Sequence, residues 1–586
     1  MKNLIYISSI FLISFSSCTK NIDLMPQSNA YVTNYYSNYN EINVALTGCY
    51  NGMQNSLFNE WQMTELRSDN TVMGSPGSKS NENFLKSDLD MFIPSTSHPE
   101  IYNYWLATYN NIRNTNLVLN SLGVNYHEST GNCTYDSIAV SMTSSQRRSL
   151  ASEASFIRAY HYFNLVRLFG GVFLIHEPIS PDDAKLINRS SVADIYKLII
   201  ADLQNTVDSG YNVPYSAIPA SSLGRTNSWA AKALLAKVYL TLNRKTEAAT
   251  LLQDVITNSG YSLLPNYESI FSTNNEMNAE ILFSVRYKAG GLNLGSPFPN
   301  QFAPLKSGAA IVNGDGNGWN YPSLEVFDSM AYLKLKSYII KDSMFITLKS
   351  TLSTATPIAV GTRVLCAQVP LGTVVTKVVG KVIYISSANI SSDISGNSYV
   401  TFYNDNRLDV NVGLYAPNGS SSLLLYPKKL VSNVYIVDDG ENDWPVIRFS
   451  DVILMLAEAQ GNTAASIGLI NLTRARAGLT ALSTTLTTAA FEKALSKERR
   501  FELAFENHRW FDLLRYNTTM TTITVEQTMK DHYQVMYPVF YKGYSAPTPS
   551  LATLQSYVIP DRMLLPIPQR EIDNNTQIVI PQNPSY

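Results

Sequence analysis

Apolar residues recur at helical spacing through most of this chain, so the first expectation is a mainly α-helical protein. Residues Glu41 to Leu57 read as one helix. Tyr104 to Ser121 reads as another, with Trp105, Tyr109, Ile112 and Leu119 near a 3.6-residue period. From Leu150 to Phe169, Ala154, Ile157, His161, Leu165 and Leu168 form a single stripe that Gly170 and Gly171 end, which makes His161 a core histidine. Ser191 to Ser209 follows, capped by Ser191 or Asp194. Thr226 to Leu242 and Lys245 to Asn258 form a pair around a tight turn at Asn243 and Arg244, with Ala236, Tyr239, Leu240, Ala248 and Leu252 at the seam. Such a pair resembles a tetratricopeptide hairpin, whose apolar faces demand stacked neighbours. Helices resume at DVILMLAEAQ, where Ser450 is the expected cap, and continue through Ile467 to Ala477 with Gly478 as the stop.

The stretch from Ser496 to Arg515, SKERRFELAFENHRWFDLLR, has the densest pattern. At 100° per residue, Phe501, Ala504, Phe505 and Phe511 fall on one side and Leu503, Trp510 and Leu514 nearly opposite, which predicts a buried helix. Between the two faces runs a charged strip of Arg499, Glu502, Glu506 and Arg509. Glu502 and Glu506 near His508 could be acid/base machinery. A strip balanced in sign inside a bundle reads instead as an ion-pair network that fixes helix packing.

Other stretches break the helical period. Glu60 to Pro99 is rich in Ser, Asn, Gly and Pro and reads as a long loop, and Asn517 to Tyr586 as an irregular tail. Ile281 to Tyr287 reads as a strand leading into Gly, Asn and Pro. Residues 351–404 are nearly uncharged and alternate in RVLCAQV, TVVTKVVGKVIYI and SYVTFY, so a small β-rich insertion is expected there.

Composition changes this picture only in places. The 586 residues carry a net charge of −2, which gives no electrostatic case for nucleic acid. Charged residues make up 15 %, low enough to suggest large buried or sugar-like polar surfaces. The opening MKNLIYISSIFLISFSSC has a basic start, an apolar run from Leu4 to Phe15 too short to span a bilayer, and then Ser16, Ser17 and Cys18. It predicts an export signal over residues 1–17 and a lipid anchor on Cys18, with residues 18–586 a single tethered body. Cys49, Cys133 and Cys366 remain, an odd set without metal spacing that leaves one disulfide or none.

Nine ordered blocks resemble the SusD/RagB lipoproteins of Gram-negative nutrient uptake. They include CTKNIDLMPQS, EINVALTGCYNGM, YWLATYNNIRNTNLVL, ASEASFIRAYHYFNLVRLFGGV, GRTNSWAAKALLAKVYL, DWPVIRFSDVILMLAEA, INLTRARAGL, KERRFELAFENHRWFDLLRY and LLPIPQREIDNNTQIVIPQNPSY. The resemblance implies a SusD-like helical body of four tetratricopeptide-like helix pairs with long irregular loops, anchored by lipid at the outer-membrane surface. It implies a partner, a TonB-dependent transporter of the SusC type, and a cargo, usually an oligosaccharide, with peptide the alternative in the RagB branch. No catalysis, cofactor or metal is implied. The insertion at 351–404 departs from the shorter connection usual in the family.

If the recognisable helices are scaffold, ligand chemistry belongs to the irregular segments. Sugars pack their C–H faces on Trp and Tyr rings and need Asn, Asp and Arg for their hydroxyls. WQMTELRSDN offers Trp61, Arg67, Asp69 and Asn70. NGDGNGWNY offers Asp315, Asn317, Trp319, Asn320 and Tyr321, and Tyr287 is a further candidate. Trp105, Trp229, Trp444 and Trp510 read as core. The alternating Asn, Asp and Asn of residues 313–318 resemble the start of a calcium loop, but Leu324 stands where Glu is needed, and Trp319 replaces the third glycine of a dinucleotide fingerprint. A surface glycosidase using paired carboxylates is the competing class, against which stand scattered histidines and the absence of G-x-S-x-G.

Overall fold

The computed structural model describes residues 36–73, 81–330, 333–352, 358–366, 369–370, 372–389, 393–415, 424–543, 549–575 and 577–586. The export signal, Cys18 and the lead-in to residue 35 lie outside the described residues.

Eight helices packed as four pairs form the scaffold, and a shorter one lies between the first two. Helix α1 (Tyr39–Thr64) starts where the Asn38 side chain accepts the Glu41 amide at 3.1 Å, and it runs seven residues past the expected end at Leu57. The Glu60 to Pro99 segment is therefore only partly loop, since α2 (Asn81–Asp90) also lies within it. Helix α3 (Pro99–Ser121) and α4 (Ser144–Phe169) follow, the latter opened by a reciprocal Thr143–Gln146 capping box and ended by Gly170 at φ 73°. Helix α5 (Val192–Ser209) is capped by Ser191, while α6 (Ser228–Thr241) and α7 (Lys245–Asn258) turn at Asn243 with φ 56°. Helix α8 (Phe449–Gln460) and α9 (Ala464–Arg476) complete the set; Arg448, not Ser450, holds the cap position of α8.

The packing is serial. Helix α1 packs on α3, α4 on α5, α6 on α7 and α8 on α9, and α3–α4, α5–α6 and α7–α8 contacts join the pairs. Each pair buries what its neighbour leaves open: Leu240 and Leu252 are fully buried, each contributing about 1.5–3 kcal/mol. His161 sits in this core, where Asn111 Nδ2 lies 2.8 Å from its Nε2, and burial pushes its pKa down to about 3. The four tryptophans read as core are all buried, and Cys49, Cys133 and Cys366 form no disulfide with one another. No helix among the described residues is long and apolar enough to cross a membrane.

The Ser496 to Arg515 stretch is buried but is not one helix. Helix α10 (Thr488–Glu502) stops, residues 503–508 turn with Phe505 at φ 65° and Asn507 at φ 62°, and α11 (Arg509–Thr519) begins. Side-chain donors from elsewhere compete successfully for the carbonyls that a continued helix would have used. Asn411 donates to the Phe501 carbonyl at 2.7 Å, Arg448 and Tyr267 to that of Glu502 at 2.7 Å each, and Lys429 to that of Ala504 at 3.0 Å. The charged strip pairs outward rather than along the helix. Glu502 meets Arg407, Arg448 and Arg476, Glu506 meets Arg448 and Lys429, Arg499 meets Asp451 and Asp512, and Arg509 meets Asp69. Asp512 and Arg515, three residues apart, pair within the stretch at 2.8 Å.

Strand β1 (Thr71–Val72) pairs with β3 (Tyr321–Pro322), and β2 (Ile281–Val285) with β10 (Trp444–Arg448). Between β3 and β10 the chain builds a six-stranded antiparallel sheet that begins at Leu333, earlier than the expected residue 351. Its strands are β4 (Leu333–Ile339), β5 (Phe345–Leu348), β6 (Arg363–Leu365), β7 (Val375–Val379), β8 (Val382–Ile385) and β9 (Ile394–Tyr403), in the order β6-β9-β4-β5-β8-β7. Val364 donates to the Thr373 carbonyl at 2.9 Å and Val375 to that of Thr362 at 2.8 Å, so the outer strands meet and the sheet closes into a barrel. Its interior is a separate core of Ile339, Ile346, Val364, Val375, Ile383, Val400 and Phe402. The tail is more ordered than expected, with α12 (Val525–Met536) and a short helix at Leu551–Tyr557.

Candidate functional site

Three loops converge beside the β2–β10 pair: residues 286–296, 303–320 and 431–443. Buried Asn300 organises them. Its Nδ2 donates to the carbonyls of Asn313 (2.9 Å) and Asp315 (3.1 Å), its Oδ1 accepts the Asp438 amide (3.0 Å), and its own carbonyl accepts the Asn317 amide (2.9 Å). Asp439 accepts the amides of Gly290 and Gly291 at 2.8 and 2.9 Å, and Ser296 and Gly440 exchange backbone bonds. The glycines of NGDGNG serve this packing: a Cβ on Gly316 would lie 2.2 Å from the Ala303 carbonyl oxygen, and Gly314 has φ 79°. That accounts for a spacing that looked like the start of a cation loop.

The surface so formed is amphipathic. Asn313 Nδ2 donates to the Tyr435 carbonyl at 2.6 Å, and the Tyr435 ring beyond it is 93 % exposed. Ile436, Val437, Leu292, Leu294 and Leu305 are exposed around it, Leu292 by 63 %. Asn313, Asp315 and Asn317 supply the polar side. Exposed apolar side chains interleaved with amides and a carboxylate can stack on a ring and hydrogen-bond its substituents. The Tyr435–Val437 triplet lies between Asn433 and Asp438-Asp439-Gly440, an apolar run set among turn residues. That contrast is the signal the sequence offers for this face.

The other sequence candidates divide by burial. Asp315 and Asn317 are exposed on this face. Trp319 is half-buried with Lys86 Nζ 3.8 Å from its ring centre, so one ring face is already covered, and half-buried Tyr321 accepts the Leu425 amide through its hydroxyl at 2.9 Å. The remaining candidates are core parts. Trp61 belongs to α1 and packs edge-on against Phe302 at 5.0 Å. Arg67 is wedged between the Phe92 and Trp510 rings and donates to the Arg562 and Met563 carbonyls, and Asp69 pairs with Arg509 at 2.7 Å and Arg500 at 3.2 Å. Asn70 accepts from Arg500 at 3.0 Å, Asn320 is fully buried, and Tyr287 packs on Phe298 at 5.9 Å. Rings, guanidinium groups and carboxylates suited to a sugar pack against one another equally well in a core.

The carboxylates that might have done chemistry lie elsewhere and are spoken for. Arg476, Arg448 and Arg407 outweigh the burial of Glu502 and hold its carboxyl well below the usual range; Arg448 and Lys429 do the same for Glu506. Burial, with Lys237 beside it, pushes His508 down to about 3. Enclosed by these partners and almost cut off from solvent, the groups hold the interior together. No group of three or more His, Cys, Asp or Glu side chains among the described residues could hold a metal ion.

Comparison with known proteins finds relatives over most of the chain. A family profile described as "SusD family" matches residues 386–586, and one described as "Starch-binding associating with outer membrane" matches residues 20–240. The SusD-like protein P25 of Formosa agariphila is 23 % identical over 544 residues, 89 % of this chain and 90 % of that relative. Among solved structures, a laminarin binding SusD-like protein superposes with a TM-score of 0.62 at 23 % identity, covering 94 % of this chain and 100 % of that one. Surface glycan-binding protein A from Bacteroides fluxus gives a TM-score of 0.65 at 16 % identity, covering 93 % and 99 %.

Proposed function

Since the chain belongs to the SusD/RagB family, we propose that it binds an oligosaccharide at the outer-membrane surface and hands it to a SusC-type TonB-dependent transporter. The observation that carries the ligand class is the Tyr435 ring, held out beside Asn313, Asp315 and Asn317 by a rigid buried network. A planar ring flanked by amides suits the C–H face and hydroxyls of a sugar. The relatives named for laminarin and glycan binding support the same class. The interior placement of Glu502 and Glu506 supports binding without cleavage.

Calorimetry with laminarihexaose, malto-oligosaccharides and short peptides tests this reading. Replacing Tyr435 by Ala is expected to weaken the bound glycan by about 2 kcal/mol, roughly 30-fold, as for an aromatic anchor. An unchanged affinity removes Tyr435 from the site; peptide binding alone favours the RagB-like alternative; shortened sugars in the mixture favour a glycosidase.

Membrane attachment is the second part of the proposal and rests on Cys18. Acylated Cys18 is expected as the first residue of the mature chain in intact-mass spectra, and Cys18→Ala should release the protein from the membrane fraction. Continued membrane retention of that variant would count against a lipid anchor there.

A further inference from the structure

The barrel has an outer wall as distinctive as its core. Residues 333–403 hold six lysines and Arg363 against Asp342 and Asp393, a net charge of +5 from seven positive and two negative groups, within a chain of net −2. The rest of the protein therefore carries −7, and the positive charge is concentrated in one small body.

Strand register arranges its rings in rows. Tyr399 on β9 stands opposite Lys336 on β4, with the ammonium 5.5 Å from the ring centre. Tyr338, two residues along β4, stands opposite Thr347, and Val382 and Val379 continue that row across β8 and β7. Phe345 on β5 stands opposite Tyr384 on β8 with ring centres 6.4 Å apart, and Lys377 on β7 lies 5.7 Å from the Tyr384 ring. Tyr399, Tyr338 and Tyr384 are 59, 47 and 38 % exposed. The Tyr338 ring lies against Gly396, where a Cβ would come within 2.0 Å of it, so the glycine lets the ring lie flat along the sheet. From β9 to β8 the rings follow an arc of about 14 Å, three of the six strand spacings, so a ligand that meets all of them wraps half the girth of the barrel.

Lys334 pairs with Asp328 and Arg363 with Asp409, but among the described residues Lys336 and Lys377 meet rings and no carboxylate. Rings without a pocket suit a long, ring-built ligand, and ammonium groups beside them suit one that carries negative charge. We propose that this wall is a second binding surface, for a chain of acidic sugars bearing carboxylate or sulfate groups. It is separate from the Tyr435 face and independent of what that face holds.

The test uses the whole protein, with dextran sulfate and polygalacturonate as acidic probes and neutral dextran as control, read by calorimetry. Wild type should bind the acidic polymers and not dextran. Lys336→Glu with Lys377→Glu should lower that affinity more than tenfold, and Tyr384→Ala with Tyr399→Ala, which leaves the charge intact, at least fivefold, while Tyr435→Ala leaves it unchanged. Circular dichroism melting verifies that each variant folds, with Lys336→Gln and Lys377→Gln replacing any that does not. Loss in the charge variants alone would reduce the wall to a nonspecific cationic patch and overturn the proposal. Equal loss on Tyr435→Ala would move the acidic ligand to the loops, and binding to phosphatidylglycerol vesicles without binding to either polymer would assign the wall to lipid; both overturn it.

Discussion

Replacing Arg448 by Met is expected to lower folding stability by about 3–5 kcal/mol, measured as a shift in the urea midpoint followed by tryptophan fluorescence. The guanidinium reaches Glu280 at 2.8 Å, Glu502 at 3.0 Å and both oxygens of Glu506, while also capping the Glu502 carbonyl. Methionine fills similar volume but leaves three buried carboxylates with reduced compensation, and only Arg476, Arg407 and Lys429 remain to meet them. A loss of that size is a large share of the roughly 5–15 kcal/mol that keeps a domain folded. Lysine at this position should recover little, since one ammonium does not reproduce a planar fork that serves several acceptors. A change below about 1 kcal/mol would mean that the remaining cations re-form the network unaided.

Acid is expected to act on the same region with comparable force. Asp69, Asp451, Glu502, Glu506 and Asp512 are all lowered by neighbouring arginine and lysine despite complete burial. In the unfolded chain they take up protons near pH 4, while in the folded chain they stay ionised, so the stability they supply is complete above about pH 5 and drains away as the pH falls. Glu65, Asp90 and Asp443 run the other way: burial pushes each up to about 7, so folding favours their protonated forms. Their contribution is present at low pH and is lost as the pH rises through 7. The melting temperature should therefore rise somewhat from pH 8 to about pH 5 and collapse below about pH 4. Equal melting temperatures at pH 6 and pH 3 would sink this account.

Much of the scaffold was legible because its signals are local. Ser191 and Gly170 sit where capping chemistry put them, and the Ala236 to Leu252 seam closes as its periodicity required. The break at Phe505 was not legible, because it depends on Arg448, Lys429 and Asn411, remote in sequence, outbidding a regular helix for its carbonyls. Residues 333–350 were missed as strand for a related reason: LKLKSYI alternates, but lysines and a short span disguise a wall whose inner residues meet only in three dimensions. The loop face was half legible. Asp315 and Asn317 lie on it, whereas Arg67, Asp69 and Asn70 tie the chain just past α1 to Trp510, Arg509 and Arg500 of the C-terminal signature, and Trp61 packs on Phe302.

The chain enters the barrel on β4 and leaves it on β9, and these two strands are paired, with Leu333 opposite Phe402. Both junctions rest on one small apolar cluster that includes Phe327, Met330, Tyr403, Leu408 and Phe505. Entry and exit side by side make the barrel a detour rather than a link, so its length and sequence can drift without changing the order or spacing of the helices. A lineage could lengthen, trade or discard it while the rest of the molecule keeps its shape, which leaves selection free to refit this attachment to whatever the surroundings offer.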